Sequence, residues 1–353
     1  DAATKMAQAY GDVKITSSEF SSASGCAVMK TETNTVDLFD QPSLIRGKST
    51  VSGSLIAIYS ENDVLSRIDV VDTARGEFKE PIDTVKGYYD ESILSGNRII
   101  LDFDQGELSN ITCWGQAYSW YYPSPRGGSE THQNSVSGDT IRFYIEQEGL
   151  ERVDVVGGAV GRYITSKTRA ADTALVTQVD TIDYNGKFIE YHIADSLIYL
   201  ERASHVQSGT VALDAHKISF DTRQKIIEAY SAYLDQDTVG TKYSVAAQIQ
   251  PNSIPVILRD KSQEIYGDYL LYSIDTEKGR IIQSKSDYQA GLYYGDKLYR
   301  EQERIVYVDD GRYTTCDAEE PHFHFHSKHM KLIQDDKLIA KPVVFYVERI
   351  PVF

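Results

Sequence analysis

Several histidines lie close together near the end of the chain. His322, His324 and His326 alternate with Phe323 and Phe325. On a β-strand, residues two apart share a face, so two or three of these imidazoles are placed to bind a zinc or nickel ion. Strand side chains two apart diverge little, however, and a tetrahedral metal needs a fourth ligand that the sequence does not identify. We therefore interpret them as an exposed histidine row, with the two phenylalanines in the core.

The sequence carries no catalytic motif. It has no Gly-x-Ser-x-Gly nucleophile motif, no phosphate-binding loop and no HExxH zinc motif. Acidic residues are numerous, but they are scattered over the predicted polar sides of strands, where a solvated surface accounts for them. The sequence therefore predicts a protein that is not an enzyme and that uses no cofactor and no metal.

The chain has three cysteines, Cys26, Cys113 and Cys316. If two of them form a disulfide, the third remains unpaired. An odd count in an exported protein suggests a bond to a partner outside the chain. Three buried thiols on strands are the alternative, and the count alone does not separate the two.

Composition indicates an all-β protein. A chain of 353 residues is long enough for one or two domains, and 25 tyrosines stand against 2 tryptophans, which is typical of Tyr-rich sheets. The formal net charge of −16 repels phosphate backbones, so nucleic acid is not an expected partner. No apolar run approaches the length of a spanning helix. The chain starts at Asp1 without a signal-peptide pattern, as expected of a processed or trimmed chain.

The chain contains an internal duplication. Residues 51–76 and 136–161 align without a gap, and 13 of the 26 positions are identical. Self-similarity at a fixed spacing indicates stacked copies of one structural unit. A weaker echo at a shift of about 43 residues aligns Ile68 with Ile111, so a hairpin-like unit recurs roughly every 42 residues.

Each copy predicts two strands joined by a short acidic turn. Ile141 and Phe143 alternate with polar residues, which is the period of a strand with one apolar face, and the second strand then directs its own branched residues to the same side. Gly53 and Gly138 occupy equivalent positions before the first strand. There the chain must turn or allow a neighbouring backbone to come close, and a side chain would be costly.

The rest of the chain is less regular. We interpret residues 1–50 as a divergent unit that covers one end of the stack. The polar segment Thr165–Gln178 is predicted to be a seam between two blocks, 1–165 and 166–353. Leu234–Glu264 is predicted to be a long loop or insertion. Arg223–Leu234 can be drawn as a helix, but its place in the repeat favours a strand.

The last third of the chain carries a specific sequence pattern. It contains Gly311-Arg312-Tyr313-Thr314-Thr315-Cys316, then Pro321-His322-Phe323, then Ile350-Pro351-Val352-Phe353. From Tyr266 onward the sequence resembles the periplasmic part of the LptD family of lipopolysaccharide-assembly proteins, within the OstA/LptA-like superfamily. The repeats upstream resemble that superfamily only as generic units that begin with Ser-Gly-Asp or Tyr-Gly-Asp.

The resemblance implies a fold and a set of partners. The fold is an all-β, OstA/LptA-type β-jellyroll of stacked antiparallel strands, here two blocks in tandem, forming a V-shaped, two-walled groove that shields acyl chains. The implied partners are lipopolysaccharide, other Lpt-type jellyroll proteins joined edge to edge, and an outer-membrane barrel with its lipoprotein plug. The implied location is the periplasm, attached to the outer membrane. A barrel is expected after Phe353; a soluble piece of a larger protein and a separate bridge component both stay open.

The resemblance also gives Cys316 a role. It matches the family position that forms a disulfide with a cysteine of the barrel, whereas no role is carried over to Cys26 or Cys113. The predicted groove is lined by the apolar residues of the repeats: Ile56, Ile58, Ile68, Val70, Ile141, Phe143, Val153, Val155, Ile189, Tyr191, Ile218, Phe220, Leu270 and Leu298.

Two functions are consistent with these observations. The first is a lipid conduit that accepts lipopolysaccharide acyl chains in an apolar groove and passes them towards an outer-membrane translocon. The alternative is a structural or interaction β-solenoid of the cell envelope that binds no lipid. Both share strands with one apolar face, so the alternation does not separate them; the solenoid predicts a filled interior.

Overall fold

The protein is built of antiparallel β-strands. The computed structural model describes residues 5–83, 88–123, 130–146, 149–171, 174–233, 253–260, 263–288, 291–302, 305–318, 320–333 and 336–353, and no helix occurs among them. The described pairings among the strands before residue 172 and among those after residue 195 are all antiparallel. The predicted all-β fold of stacked antiparallel strands is confirmed.

The chain divides into two compact units. Unit 1 comprises Asp1–Asp183 and Phe188–Ala194, and unit 2 comprises Tyr184–Lys187 and Asp195–Phe353. Twelve strands precede residue 195: β1 (Met6–Thr16), β2 (Ser21–Lys30), β3 (Thr35–Phe39), β4 (Ser43–Arg46), β5 (Ser49–Ser52), β6 (Leu55–Glu61), β7 (Val64–Asp83), β8 (Tyr88–Asp104), β9 (Glu107–Tyr122), β10 (Glu130–Glu146), β11 (Gly149–Ala171) and β12 (Ala174–His192). Residues 165 and 166, between which the sequence predicts a boundary, both lie in β11.

Fifteen strands lie after residue 195, in unit 2. They are β13 (Leu197–Ser208), β14 (Val211–Asp221), β15 (Ile226–Tyr230), β16 (Ala232–Tyr233), β17 (Ser253–Ile254), β18 (Val256–Asp260), β19 (Gln263–Gly267), β20 (Tyr269–Ser273), β21 (Gly279–Tyr288), β22 (Gly291–Gln302), β23 (Ile305–Thr314), β24 (Phe323–Ile333), β25 (Lys337–Ala340), β26 (Val344–Val347) and β27 (Ile350–Pro351).

Three predictions about irregular segments are resolved by these strands. The segment Thr165–Gln178 is not an irregular seam, because β11 runs to Ala171 and β12 begins at Ala174. Strands tolerate polar residues on both faces near their ends, which is why the segment shows no clear period. Of Leu234–Glu264, residues 234–252 and 261–262 lie outside the described residues, and the remainder forms strands rather than a loop. Arg223–Leu234 contains strands β15 and β16, as predicted.

Most long strands bend in the middle, and the bend divides each unit into two walls. In β7 the pairing with β8 skips between Val71 and Ala74, where Asp72 and Thr73 have φ values of 54° and 49°. A bulge of this kind kinks a strand and changes the direction of its second half. We call the first wall the part that contains β3 and β6 in unit 1, and the second wall the part that contains β4 and β5.

The bend is duplicated along with the sequence. In the second copy, Gly157 and Gly158 take the place of Asp72 and Thr73, with φ values of 81° and 60°. Facing each bend, a Cβ on Gly138 would lie 2.7 Å from Val155 Cγ1, and one on Gly53 would lie 2.7 Å from Val70 Cγ1. Such a contact is too close for any side chain. The prediction that both glycines permit a close approach is confirmed.

A row of buried side chains crosses the first wall of each unit. Residues directly opposite in an antiparallel pair share a face. In unit 1, the pairing register places eight residues in a line, one from each of β2, β3 and β6 to β11, and all are at most 5% exposed: Ala27, Leu38, Ile56, Val70, Ile99, Cys113, Ile141 and Val155. We call this row the inner ladder of unit 1.

Unit 2 has the same feature. Its first wall contains β15, β20 and β25 together with one half of each long strand, and its second wall contains β18, β19 and β26. The register again aligns eight residues, all at most 5% exposed: Leu200, Ile218, Ala229, Leu270, Ile281, Leu298, Val308 and Met330. This row is the inner ladder of unit 2.

Candidate functional site

The candidate site is the apolar space between the two walls of each unit. In unit 2, Leu258 and Ile265 from the second wall line the same recess as Leu270, Ile281 and Leu298 from the first wall. The two walls therefore face each other across their apolar sides. Since the residues on both sides are buried, water is excluded from the space, and its lining offers only contacts with other apolar groups.

The recess is nearly closed. Its enclosed volume is about 20 Å³, and a neighbouring space of about 10 Å³ shares Leu258, Leu270 and Tyr272 with it. Spaces of this size hold at most a single water molecule. A larger guest can enter only if the walls separate.

The outer faces of the walls are polar by contrast. Arg98 binds Asp69 through two hydrogen bonds of 2.8 and 2.6 Å, one strand away on the outside of the first wall. Arg67 pairs with Asp102 at 2.8 Å on the same face. Asp69 is itself buried, but the charged ends of Arg98, Arg67 and Asp102 remain partly in solvent and keep this side hydrated. The arrangement thus separates an apolar interior from a charged exterior.

An arginine reaches from one wall to the other in each unit. In unit 2, Arg300 of β22 lies two residues beyond Leu298, and its Nη1 is 2.8 Å from Oδ2 of Asp260 on β18. In unit 1, Arg46 of β4 donates a hydrogen bond of 2.7 Å to the carbonyl oxygen of Gly106, between β8 and β9. Both arginines therefore link the walls on the side away from the bend.

One carboxyl group is buried at the bend of unit 2. Asp268 lies between β19 and β20, is 6% exposed, and accepts a hydrogen bond of 3.4 Å from the Ser231 hydroxyl. Within the described part of the chain, its Oδ2 has no hydrogen-bond partner. Burial raises the pKa of Asp268 to about 6, because the charged form loses its hydration.

The structure brings most of the predicted groove residues together. Four of them belong to the inner ladder of unit 1, and Ile218, Leu270 and Leu298 belong to that of unit 2. Phe143 pairs with Val153 and Ile58 pairs with Ile68 in the adjacent row of unit 1, although Phe143 is only half-buried. Phe220 occupies the adjacent row of unit 2. On β12, Ile189 is buried and Tyr191 is half-buried. Their role as a lipid-binding surface remains a prediction.

Sequence reasoning missed half of the ladder in unit 1. Ile99 and Cys113 occupy it between Val70 and Ile141, and neither was predicted to line the groove. The signal was present, because the shift that aligns Ile68 with Ile111 also aligns Val70 with Cys113. The residue at this apolar position is Cys113. Its thiol was considered as a partner in a disulfide and not as a small apolar group that packs in a core.

The cysteines are all free thiols. Cys113 is fully buried, and burial raises the pKa of its thiol to about 12. Cys316 is partly exposed, and its Sγ lies 3.3 Å from Nδ1 of His322. Hydrogen bonding, first of all from His322, lowers the pKa of the Cys316 thiol. No disulfide forms within the chain, and the alternative of three buried thiols is wrong, because Cys26 and Cys316 are only half-buried. A bond from Cys316 to a partner remains a prediction.

The histidine row is divided among separate partners. His324 stacks on Tyr346 with ring centres 4.8 Å apart, and Nε2 of His326 lies 2.7 Å from a carboxylate oxygen of Asp310. The described residues contain no group of three or more His, Cys, Asp or Glu placed to hold a metal ion. These imidazoles are engaged by neighbours on adjacent strands rather than directed at one point.

The prediction that Phe323 and Phe325 lie in the core is wrong. Phe323 is half-buried and Phe325 is 38% exposed. Both rings pack against Phe345 of β26, with centres 6.3 and 4.9 Å apart. They lie near the end of the second wall, where the ring of one neighbouring strand covers them only in part.

Comparisons with known proteins give little beyond this geometry. No protein-family model and no curated protein matches the chain. Among solved structures, the chain is similar to LptH, the LptA-homologous periplasmic component of the lipopolysaccharide transport device from Pseudomonas aeruginosa. The identity is 14%, the TM-score is 0.30, and the match covers 48% of this chain and 94% of that one. A likeness at this level assigns no function to the chain.

Within the described ranges, no helix is long and apolar enough to cross a membrane.

The chemistry of the site consists of an apolar interior, two arginines that link the walls, and a buried carboxyl group at one bend. Such a site can exclude water and hold apolar groups. Its described residues form no arrangement of nucleophile, base and electrophile.

Proposed function

We propose that the protein is a non-enzymatic lipid conduit, in which the space between the two walls of each unit accepts acyl chains of lipopolysaccharide. The observation that supports the proposal is the inner ladder. Each ladder carries eight buried residues across eight strands, and none of them is charged. When an acyl chain enters, the ladder residues contact the chain instead of the opposite wall. One apolar neighbour replaces another, so the entry of the chain costs little free energy.

The length of the ladder suits transport as well as binding. Neighbouring strands are about 4.8 Å apart, so eight strands give an apolar stripe roughly 30 Å long. A chain that lies along this stripe can move from strand to strand without passing a polar side chain. A compact pocket, by contrast, would hold a ligand in one place.

The closed state of the recess is consistent with this proposal. Two apolar walls separated by water would be unstable, so walls without a guest are expected to close on each other. The lipid-free solenoid predicts the same closed walls but no opening. The two functions therefore differ in whether an acyl chain can separate the walls.

Partners and location are inferred from the sequence resemblance to the LptD family. It supports a protein of the periplasm, attached to the outer membrane, that passes lipopolysaccharide to a barrel and its lipoprotein plug. Edge-to-edge pairing with other Lpt-type jellyroll proteins is supported by β1, which among the described strands pairs only with β2. Its outer edge can accept a strand from another chain.

Site-specific photocross-linking tests the proposal. A photoreactive phenylalanine derivative replaces Phe143, a half-buried aromatic residue in the row next to the ladder, and the protein is irradiated with purified lipopolysaccharide. We expect a cross-linked product from position 143, and from position 141 if that variant folds. Arg142 is the matched control, because it is exposed on the outer face of the same strand. Cross-linking from position 142 alone, or equally from 142 and 143, would contradict the proposal.

A further inference from the structure

We propose that Arg300 binds the anionic head group of an amphiphile whose alkyl chain occupies the apolar recess of unit 2. The inference rests on the proposed function, since it requires that the recess opens to an alkyl chain. It adds the chemical class of the ligand, namely a phosphate or carboxylate joined to a hydrocarbon chain. It also assigns a specific head-group residue.

The first argument is the position of Arg300. Its side chain is 11% exposed and lines the recess together with Leu298 and Ile281. The residue opposite it on β21 is Gly279, which contributes no side chain. A guanidinium group thus lies beside the Asp260 carboxylate in a recess whose remaining lining is mostly apolar. A buried arginine is costly unless an anion compensates its charge.

The second argument is that the compensation is incomplete. Oδ2 of Asp260 lies 2.8 Å from Nη1, and a carboxylate oxygen of Glu277, whose side chain is 61% exposed, lies 3.9 Å from Nη2. Nε is buried and, among the described residues, has no acceptor. A guanidinium has five N–H donors in a planar fork that matches a phosphate or carboxylate through two parallel bonds. Arg300 therefore has unused capacity for an anion.

The third argument is that Asp260 has an alternative. Its Oδ1 also accepts a hydrogen bond of 3.1 Å from the Thr210 hydroxyl, on its own wall. When a ligand's anionic group replaces Asp260 at Arg300, the Arg300 charge stays neutralised and Asp260 keeps a partner. The exchange breaks the link between β18 and β22. The walls can then separate, and the recess of about 20 Å³ can widen for the alkyl chain.

The corresponding arginine of unit 1 differs. Arg46 donates to the Gly106 carbonyl oxygen, and its guanidinium lies 4.9 Å from the ring centre of Phe103. Its nearest carboxylate is 3.9 Å away on Glu107, whose side chain is 92% exposed. Arg46 is thus held by a neutral carbonyl and an aromatic face. Arg46 therefore has no buried carboxylate partner, among the described residues, that a head group could replace. We assign the head-group site to unit 2 alone.

Binding measurements with a matched set of probes test the assignment. Dodecyl phosphate, dodecyl maltoside and inorganic phosphate are titrated separately against the full chain, each amphiphile below its critical micelle concentration. We expect dodecyl phosphate to bind about tenfold more tightly than dodecyl maltoside, and inorganic phosphate not to bind. Arg300→Gln should abolish the preference, so that dodecyl phosphate and dodecyl maltoside bind this variant with similar affinity. Lys297→Gln, which removes an exposed cation from the same strand, should retain the preference.

A second variant separates binding from a structural role. Asp260→Asn removes the carboxylate that competes for Arg300, so the affinity for dodecyl phosphate should rise several-fold. The same substitution leaves Arg300 without its ion pair, so stability towards urea should fall. If the pair of Arg300 and Asp260 only stabilised the fold, Asp260→Asn would lower the stability of the protein without raising its affinity for dodecyl phosphate.

Each contrary result has a distinct meaning. Equal binding of the phosphate and maltoside amphiphiles would overturn the head-group site and leave the lipid conduit standing. So would retention of the preference in Arg300→Gln, weaker binding in Asp260→Asn, or binding of inorganic phosphate as tight as that of dodecyl phosphate. If neither dodecyl phosphate nor dodecyl maltoside binds, the head-group site and the proposed function are both overturned.

Discussion

At the scale of single residues, the bend of unit 2 contains a carboxyl group that is almost fully buried. Asp268 is held by the backbone, since its N–H donates to the Ile282 carbonyl and its own carbonyl accepts from the Ser231 N–H. The side chain is therefore fixed in a buried position by main-chain bonds rather than by a charge partner. Its ionisation opposes folding, because the unfolded chain would hydrate the charge.

This burial predicts a pH dependence of stability. The pKa of Asp268 rises from 3.8 to about 6 on folding, so the folded state binds more protons between these values. The free energy of unfolding should fall by about 2 kcal/mol as pH rises from 4 to 6 through this residue alone, and level off above about pH 7, where the carboxyl group is ionised in the folded state as well. Asp268→Asn should remove that fall, as measured by urea denaturation at a series of pH values.

The comparison of wild type with the variant isolates this residue from the other titrating groups. Asp296→Asn serves as the control, because Asp296 is an exposed carboxylate at the same bend, and its substitution should not reproduce the effect. Equal pH slopes in the wild type and Asp268→Asn would show that the carboxyl group is hydrated in the folded protein.

At the scale of elements, the two copies solve the same bend with different residues. The first copy places Asp72 and Thr73 in the left-handed region of φ, and the second places Gly157 and Gly158 there. For L-residues this region costs about 1–2 kcal/mol, and more for a β-branched residue such as threonine. A Cβ on Gly158 would meet nothing within 4 Å. Conformation rather than space thus distinguishes the two bends.

Exchange of one residue between the copies should therefore change stability in opposite directions. Thr73→Gly should raise the free energy of unfolding by about 1 kcal/mol, and Gly158→Thr should lower it by about 2 kcal/mol. Urea denaturation followed by tryptophan fluorescence measures both, because Trp114 and Trp120 both lie in unit 1.

Ser54→Ala provides the control for Thr73→Gly, because the two hydroxyls lie 3.5 Å apart. If Thr73→Gly destabilises the protein by more than Ser54→Ala does, the bend does not carry the conformational cost that we infer.

The strands themselves could be predicted from the sequence, and the bends could not. The alternation of Ile141 and Phe143 gave the apolar face directly, and the shared spacing of Gly53 and Gly138 marked a close approach. A residue in the left-handed region leaves no such trace when it is Asp72 or Thr73, because threonine disfavours this region and aspartate, although it tolerates the region, occurs in many other conformations. The link between Arg300 and Asp260 was also beyond prediction, since it depends on how the bend brings two distant strands together.

At the scale of the whole molecule, two units repeat one design. Each has an inner ladder across eight strands, an outer face with charged groups, and an arginine that links the walls on the side away from the bend. The duplication at residues 51–76 and 136–161 explains part of unit 1 only. The similar ladder of unit 2 arises from residues that show little sequence similarity to it.

The most direct test of the lipid-conduit proposal is whether an acyl chain touches the ladder. Ile99 lies in the inner ladder of unit 1, and Ile100, the next residue on β8, is equally apolar but lies on the opposite face of the strand. In deuterated protein with labelled isoleucine methyl groups, we expect nuclear Overhauser effects from the acyl chains of bound lipopolysaccharide to Ile99 and none to Ile100. Effects to Ile100 alone, or to neither residue when lipopolysaccharide is bound, would contradict the account.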